Sequence, residues 1–172
     1  MHIETERLIL RDFTLADLHA LHEILGDEIV MQTCAGPESL EENRDLIENL
    51  GMKKNGCFAC VLKETDKLIG YILFKISEED EIREAGWMFN KDYWRQGYAY
   101  EICSALFRYA FETMNVHKIV AHATDEVKSV GLMEKLGMKR EGVLRKHNKS
   151  HLSPGDWLDL YCYGLLKEDY LA

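Results

Sequence analysis

Proline is scarce in this sequence, and long apolar runs are absent. Only two prolines occur among 172 residues, of which 47% are hydrophobic and 30% are charged. This balance is typical of a packed globular protein and excludes long disordered segments. No apolar run approaches the roughly 20 residues that a membrane-spanning helix needs, and charges interrupt the apolar stretch at the N-terminus. We therefore expect one domain, residues 1–172, that is soluble and cytoplasmic and has no membrane partner.

Positive charge is also in deficit. The chain has 21 Lys and Arg against 30 Asp and Glu, a formal net charge of −9. Such a field repels polyanions on average, so nucleic acid is not an expected partner. An amine-bearing or cationic partner is favoured.

Cysteine is present but lacks the density of a disulfide scaffold. The five cysteines are Cys34, Cys57, Cys60, Cys103 and Cys162. Their odd number and scattered positions favour reduced thiols. Cys57 and Cys60 have CxxC spacing, but no second pair completes a zinc site. They lie in an apolar, strand-like run, so we expect core packing for both and no metal site.

The periodicity of apolar residues predicts the element order β-αα-βββ-α-β-α-ββ. Capping boxes at Thr14 with Asp17 and at Ser39 with Glu42 mark the first two helices. Further helices are predicted after Gly97 and over 129–136. The predicted strands cover 3–11, 57–62, 68–76, 84–89, 118–123, 143–148 and 157–165. This order predicts an α/β (α+β) fold, a mixed sheet with helices on its faces.

The segment 93–101 joins a predicted strand to a predicted helix. Gly97 and Ala99 let the backbone approach a ligand closely, and N–H groups of a first helical turn suit a phosphate or pyrophosphate. Arg95 adds a positive charge there. The glycine could equally serve an ordinary turn. Neither GxGxxG nor GxxxxGK[ST] occurs, so a nucleotide-like ligand would need another type of site.

Four segments in this order resemble the GNAT N-acetyltransferases, and within them the Rim-type branch of ribosomal-protein-alanine N-acetyltransferases. They are ETERLILR (4–11), YWRQGYA (93–99), SVGLMEKLGMKREG (129–142) and WLDLYCYGLL (157–166). The resemblance spans nearly the whole chain. It implies a mostly antiparallel sheet that is splayed between the strands at 84–89 and 118–123. It also implies acetyl-CoA as co-substrate, with its pantetheine arm in the opening.

The resemblance also implies donor-site residues. The residues whose backbone N–H groups would hold the CoA pyrophosphate are Arg95, Gln96, Gly97, Tyr98, Ala99 and Tyr100. A backbone N–H near Met88 or Phe89 would hold the thioester carbonyl. Trp94 is common at its position in the Rim-type branch. Glu126 stands where Asn is usual, so one polar contact to the CoA arm is expected to differ.

The resemblance also suggests which residues protonate the leaving thiolate and which remove the proton of the amine. Many family members place a Tyr acid on the short helix, but the matching residue here is Met133. Ser129 is the Rim-type substitute for protonating the leaving thiolate, and a helix cap is its alternative role. Glu84 matches an acidic residue that the family often places thirteen before the loop glycine. It is a candidate base, or else a solvated charge in the acidic run 78–84.

His147 is the competing base, because imidazole titrates near neutrality. Basic residues surround it in sequence, so a solvated strand edge is its alternative reading. Asn148 and either Tyr161 or Tyr163 could line the same site as walls. Cys103, inside the helix after Gly97, is expected to be structural.

These features predict an acetyl-CoA-dependent N-acetyltransferase that transfers acetyl directly to a primary amine in a ternary complex. By resemblance the favoured acceptor is a protein N-terminal amine, with a polyamine or an aminoglycoside as the alternative. A non-catalytic acyl-CoA-binding sensor is a third hypothesis, because of Met133 and Glu126. Apolar surface on the first two helices would allow a homodimer.

Overall fold

The apolar periodicity of the chain produces one mixed sheet with helices packed against it. The computed structural model describes residues 1–32, 34, 36–52 and 56–171. In these residues the strands are β1 (Ile3–Glu4), β2 (Leu8–Arg11), β3 (Cys57–Leu62), β4 (Lys67–Ile76), β5 (Ile82–Phe89), β6 (Lys118–Ala123), β7 (Lys139–Lys149) and β8 (Trp157–Leu166). The helices are α1 (Leu18–Leu25), α2 (Glu28–Met31), α3 (Leu40–Leu46), α4 (Tyr98–Glu112), α5 (Lys128–Lys135) and α6 (Lys167–Tyr170).

The strands of the described chain lie in the order β1-β2-β3-β4-β5-β6-β8-β7. Every neighbouring pair is antiparallel except β5 and β6, which are parallel. The predicted mixed, mostly antiparallel sheet is therefore confirmed. The one parallel junction divides the sheet into two antiparallel halves.

Helices cover both faces of the sheet, as predicted. Leu18, Leu21 and Leu25 of α1 are buried with Cys57 and Val61 of β3 on one face. On the other face a larger core joins α4 and α5 to the sheet, through Ile102, Leu106, Phe107, Phe111, Val130 and Met133. The capping box at Ser39 forms: the Glu42 carboxylate accepts from the Ser39 backbone N–H at 2.7 Å. At Thr14 the Asp17 carboxylate accepts from the backbone N–H at 2.8 Å.

The two CxxC cysteines are core residues, as expected. Both are fully buried, Cys57 in the core under α1 and Cys60 in the core under α4. Burial raises the pKa of each thiol to about 12. Cys103 is also fully buried inside α4, and burial raises its pKa as well. These thiols are structural.

Some predicted boundaries are wrong. The strand expected over 3–11 is a hairpin of β1 and β2, because Thr5 turns the chain: its backbone N–H bonds to the Leu8 carbonyl at 3.0 Å, and its hydroxyl accepts from the Leu8 N–H at 3.0 Å. Helix α2 was not predicted. It is short, and the Asp27 carboxylate caps it by accepting from the N–H groups of Ile29 and Val30. Strand β7 begins at Lys139 rather than at 143.

The sheet opens at its parallel junction. Strands β5 and β6 pair only at Ile82 with Lys118, Arg83 with Ile119 and Glu84 with Val120. Beyond Glu84, β5 continues to Phe89 beside β4, while β6 continues to Ala123 beside β8. We call this opening the wedge. Its β5 side is five residues long, about 17 Å at the usual rise of a strand. In the part of the chain that is described, no helix is long and apolar enough to cross a membrane.

Candidate active site

A loop with two left-handed residues follows the open end of β5. Arg95 has φ 60° and Gly97 has φ 85°, and α4 begins directly afterwards at Tyr98. This turn exposes the first N–H groups of α4. Among the described residues, none accepts a hydrogen bond from the backbone N–H groups of 95–100. With the adjacent Arg95 side chain, these donors form a cradle that suits a phosphate or pyrophosphate. We call residues 95–100 the anion loop.

Trp94 attaches the anion loop to the wedge. Its indole N–H donates to the Phe89 carbonyl, the last residue of β5, at 2.8 Å. The Lys128 ammonium lies 4.4 Å from the centroid of the Trp94 ring. The ring therefore spans from the end of β5 to the start of α5, and it brings the anion loop next to both.

Glu84 occupies the apex of the wedge. It belongs to the last residue pair that joins β5 to β6. Alternation along β5 directs Ala85 and Phe89 into the core under α4, so Glu84, Gly86 and Met88 lie on the opposite face. The Glu84 side chain is 29% exposed, and its Oε2 lies 3.1 Å from Lys75 Nζ.

His122 is a site residue that sequence reasoning missed. It lies on β6, two residues beyond the apex, and its Nδ1 is 3.6 Å from Glu84 Oε1. The side chain of His122 is 37% exposed. A signal was present in the sequence: Ile119 and Ala121 are buried, so alternation places His122 on the face of Glu84. Which strand lies beside β6, however, is set by the topology.

His147 is far from Glu84. Strand β7 is irregular between Leu144 and Asn148, and His147 is exposed in this irregular part. Asn148 pairs with Leu158, whereas Val120, the partner of Glu84, pairs with Gly164. Six residues of β8 separate these levels, about 20 Å along the strand. The structure does not bring the two candidate bases into one site.

The two tyrosines proposed as walls beside His147 face the core under α4. Tyr163 is buried in the core under α4, where its hydroxyl donates to Glu134 at 3.0 Å and accepts from Arg140 Nε at 2.8 Å. Tyr161 packs against the same core. Strand alternation thus directs both side chains toward α5, on the face opposite Glu84 and His122, and a shared site with His147 stays a prediction.

Ser129 is in the first turn of α5 but does not cap it. The helix begins at Lys128, and the Asp125 carboxylate accepts from the N–H groups of Val127 and Lys128 at 2.8 and 2.9 Å. Within the described chain, the Ser129 hydroxyl has no hydrogen-bond partner. Asp125 performs the capping that was the alternative role of Ser129, and the serine hydroxyl is left available.

Met133 and Glu126, the two residues that depart from the usual family pattern, differ in exposure. Met133 is 1% exposed and packs in the core under α4. Glu126 is 60% exposed and lies 3.9 Å from Arg140 Nη2. Its carboxylate also pairs with Tyr161; burial first, and then this hydrogen bond, raise the pKa of the Tyr161 hydroxyl.

The family assignment rests on the whole length of the chain. Residues 7–139 match the model of the acetyltransferase (GNAT) domain. The chain belongs to the GNAT family. An uncharacterized N-acetyltransferase, YnaD of Bacillus subtilis, is 35% identical over 172 residues and covers 99% of both chains. This GNAT chain is accordingly an acetyltransferase.

Solved GNAT structures have the same architecture. The crystal structure of an acetyltransferase (GNAT family) from Bacillus anthracis matches with a TM-score of 0.89 and 34% identity, covering 98% of this chain and 99% of that one. Two structures share the fold at lower identity. A spermidine N-acetyltransferase from Vibrio cholerae in complex with CoA and spermine has TM-score 0.82, 24% identity and coverages of 98% and 100%. A ribosomal-protein-S5-alanine acetyltransferase from Vibrio fischeri has TM-score 0.80, 17% identity and coverages of 99% and 98%.

Proposed function

We propose that this GNAT domain transfers acetyl from acetyl-CoA directly to a primary amine in a ternary complex, and that the favoured acceptor is a protein N-terminal amine. The observation that carries the proposal is the wedge between β5 and β6, with the anion loop at its open end and Glu84 at its apex. A phosphate group and an extended arm are the two parts that such a site accommodates, and CoA contains both.

The donor would be held mainly by backbone. The N–H groups of Arg95, Gln96, Gly97, Tyr98, Ala99 and Tyr100 would bind the pyrophosphate. The unpaired part of β5, with Met88 and Phe89, would offer a backbone N–H to the thioester carbonyl. Glu126 is exposed at the β6–α5 side, so we assign it at most a peripheral contact with the CoA arm.

Acetyl transfer requires a neutral amine. Its nitrogen forms a bond to the thioester carbon, the carbon–sulfur bond breaks, and the thiolate takes a proton as it leaves. A carboxylate at the apex can attract an ammonium ion and accept its proton, directly or through water. We assign that role to Glu84, with His122 beside it to pass the proton outward. His147, about 20 Å along the sheet, is not assigned to this step.

Ser129 is proposed to help the thiolate leave. Its hydroxyl is free of capping duty, and it lies in the first turn of α5, which Lys128 and Trp94 connect to the anion loop. Because the proton is needed only as the carbon–sulfur bond breaks, this assistance belongs to the transition state.

A polyamine is the second candidate acceptor. The net charge of −9 favours a polycation, and the spermidine N-acetyltransferase of Vibrio cholerae shares this fold. The same reasoning includes an aminoglycoside. A protein N-terminus needs only one amine to be recognised, whereas these alternatives present several charges to the field of the protein.

The experiment that tests the function is thiol release from acetyl-CoA with three acceptor classes: peptides with free N-termini, polyamines and aminoglycosides. We expect turnover that depends on the amine, with the highest kcat/KM for a peptide. A polyamine preference would move the acceptor to the second candidate. CoA binding without amine-dependent thiol release would contradict the enzymatic proposal and favour a sensor.

A further inference from the structure

The opening hairpin reaches across the molecule to the anion loop. Arg7, in the turn between β1 and β2, donates from Nη1 to the Gln96 carbonyl at 3.0 Å. The carbon of its guanidinium lies 4.3 Å from the centroid of the Tyr98 ring. Arg7 Nε donates to Glu101 Oε2 at 2.7 Å. One side chain therefore contacts the anion loop at two positions and the residue that follows it.

Glu101 is the point where these contacts converge. It lies in the first turn of α4, and its Oε1 accepts from the Thr5 hydroxyl at 2.6 Å and from the Arg7 backbone N–H at 2.9 Å. Burial alone would raise the pKa of Glu101, but the hydrogen bonds from Thr5 and Arg7 outweigh it and lower the pKa. The carboxylate is therefore ionised at neutral pH. It accepts hydrogen bonds from two residues of the turn, Thr5 and Arg7.

The anion loop has a backbone conformation that needs such support. Arg95 adopts φ 60°, which is unfavourable for a residue with a Cβ and persists only where the surroundings impose it. Arg7 binds the carbonyl of the next residue, Gln96, and packs on Tyr98. It also lies at the mouth of the cradle: a Cβ built on Gly97 would be 3.4 Å from Arg7 Nη2.

We propose that Arg7 is a positioning residue of the acetyl-CoA site. With Glu101 it holds the anion loop in the conformation that directs its N–H groups outward, and its guanidinium adds positive charge at the edge of the cradle. The inference rests on the proposed function of the loop. It also gives a physical role to the segment 4–11. A guanidinium is required because it bonds to a carboxylate and a carbonyl at once and stacks on a ring, which an ammonium cannot do together.

The test compares Arg7→Gln and Arg7→Lys with a matched control in the same hairpin. Lys63 bonds to the Thr5 carbonyl at 2.7 Å and to Glu4 at 2.9 Å, without contact to the anion loop. Lys63→Met therefore loosens the hairpin alone. We expect Arg7→Gln to raise the KM of acetyl-CoA and the calorimetric Kd of CoA by roughly 10- to 100-fold, the usual range for charge-assisted hydrogen bonds.

Comparing the effect on acetyl-CoA with the effect on the amine distinguishes a positioning role of Arg7 from general destabilisation of the fold. The KM of the amine should change by less than about twofold, because the acceptor is proposed to bind at the apex of the wedge. Arg7→Lys should rescue only part of the CoA affinity. Lys63→Met should leave both KM values unchanged, even if its Tm falls. If Arg7→Gln does not fold, Arg7→Lys and Glu101→Gln are judged by the same CoA affinity.

Unchanged CoA affinity in a folded Arg7 variant would overturn the inference and leave Arg7 a structural staple. An equal loss in Lys63→Met would also overturn it, because loosening the hairpin would then suffice. Failure of the wild-type protein to bind CoA is a different result: it would refute the proposed function itself, whatever the Arg7 variants do.

Discussion

The imidazole of His122 lies beside the carboxylate of Glu84, with Nδ1 3.6 Å from Oε1, at the point where β5 and β6 separate. The second carboxylate oxygen of Glu84 is engaged by Lys75 at 3.1 Å. The Glu84 carboxylate therefore lies between a lysine and an imidazole at the apex of the wedge, where the proposed mechanism places the amine. This pair is the chemical centre of the proposed mechanism.

The pair makes a ranking of variants testable. Glu84→Gln keeps the size of the side chain but removes its basic oxygen, so kcat/KM should fall by about 10²- to 10⁴-fold. His122→Gln should cause a smaller fall, and His147→Gln should have almost no effect because of its distance. Steady-state rates of the three variants, measured side by side, would check the order. A larger loss in His147→Gln would transfer the base to β7. Near-normal rates in all three would indicate a site that acts by positioning alone.

Gly97 is predicted to be essential for donor binding. Its φ of 85° disfavours any residue with a Cβ, and such a Cβ would approach Arg7. Gly97→Val should therefore weaken CoA binding, measured by calorimetry on a variant whose circular dichroism matches that of the wild type. Gly131 supplies the control Gly131→Ala, which should bind CoA normally, because no neighbouring atom lies within 4 Å of the position that the added Cβ would take. Normal affinity in a folded Gly97→Val protein would remove the anion loop from the donor site.

Ser129→Ala should lower kcat more than it changes CoA affinity, because the proton is needed only in the transition state. Since Asp125 caps α5, the serine variant should lose little thermal stability. Asp125→Ala is the informative comparison, with a fall in free energy of unfolding of roughly 1 kcal/mol. If Ser129→Ala lowers only the Tm and turnover is normal, the residue is structural.

Asp17 is predicted to make stability depend on pH. Burial by itself would raise the pKa of its carboxyl, but the hydrogen bonds from Arg11, at 2.8 Å each, and from Thr14 outweigh it and place the pKa below the usual 3.8. The stabilisation is therefore present above that value and is lost as pH falls through the lower, folded-state pKa. Asp17→Asn should reduce the free energy of unfolding by about 1–3 kcal/mol at pH 7 and by much less near pH 2. Urea unfolding at both pH values, with exposed Asp45→Asn as control, tests this. An equal loss at both would contradict it.

The predictable part of the fold was local. Side chains that bond within three residues, such as Ser39 with Glu42, and apolar periodicity over one element were enough to predict most helices and strands. Part of what holds the hairpin of β1 and β2 is remote: besides its local bonds to Leu8, Thr5 bonds to Glu101, which is 96 residues away in the chain. A pattern within residues 3–11 contains no sign of that partner.

The same limit applies to the site. The turn before α4 was predicted, because Gly97 and Ala99 allow close approach of the backbone ahead of a helix, and Glu84 was suggested by the family resemblance. His122 was missed because its importance depends on β6 lying parallel to β5 for only three residue pairs. His147 was named as the competing base from its imidazole alone, and its distance from Glu84, which the register of β8 determines, is not visible in the sequence.

The most direct measurement of the central claim is the mass of a peptide with a free N-terminal amine after incubation with the protein and acetyl-CoA. The account predicts that the peptide gains one acetyl group on its α-amine, with one thiol released per acetylated amine. It also predicts that Glu84→Gln slows this acetylation by about 10²- to 10⁴-fold. Thiol release without an acetylated amine would contradict direct transfer. No acetylation of any peptide, polyamine or aminoglycoside by a protein that binds CoA would contradict the claim that this wedge is an N-acetyltransferase site.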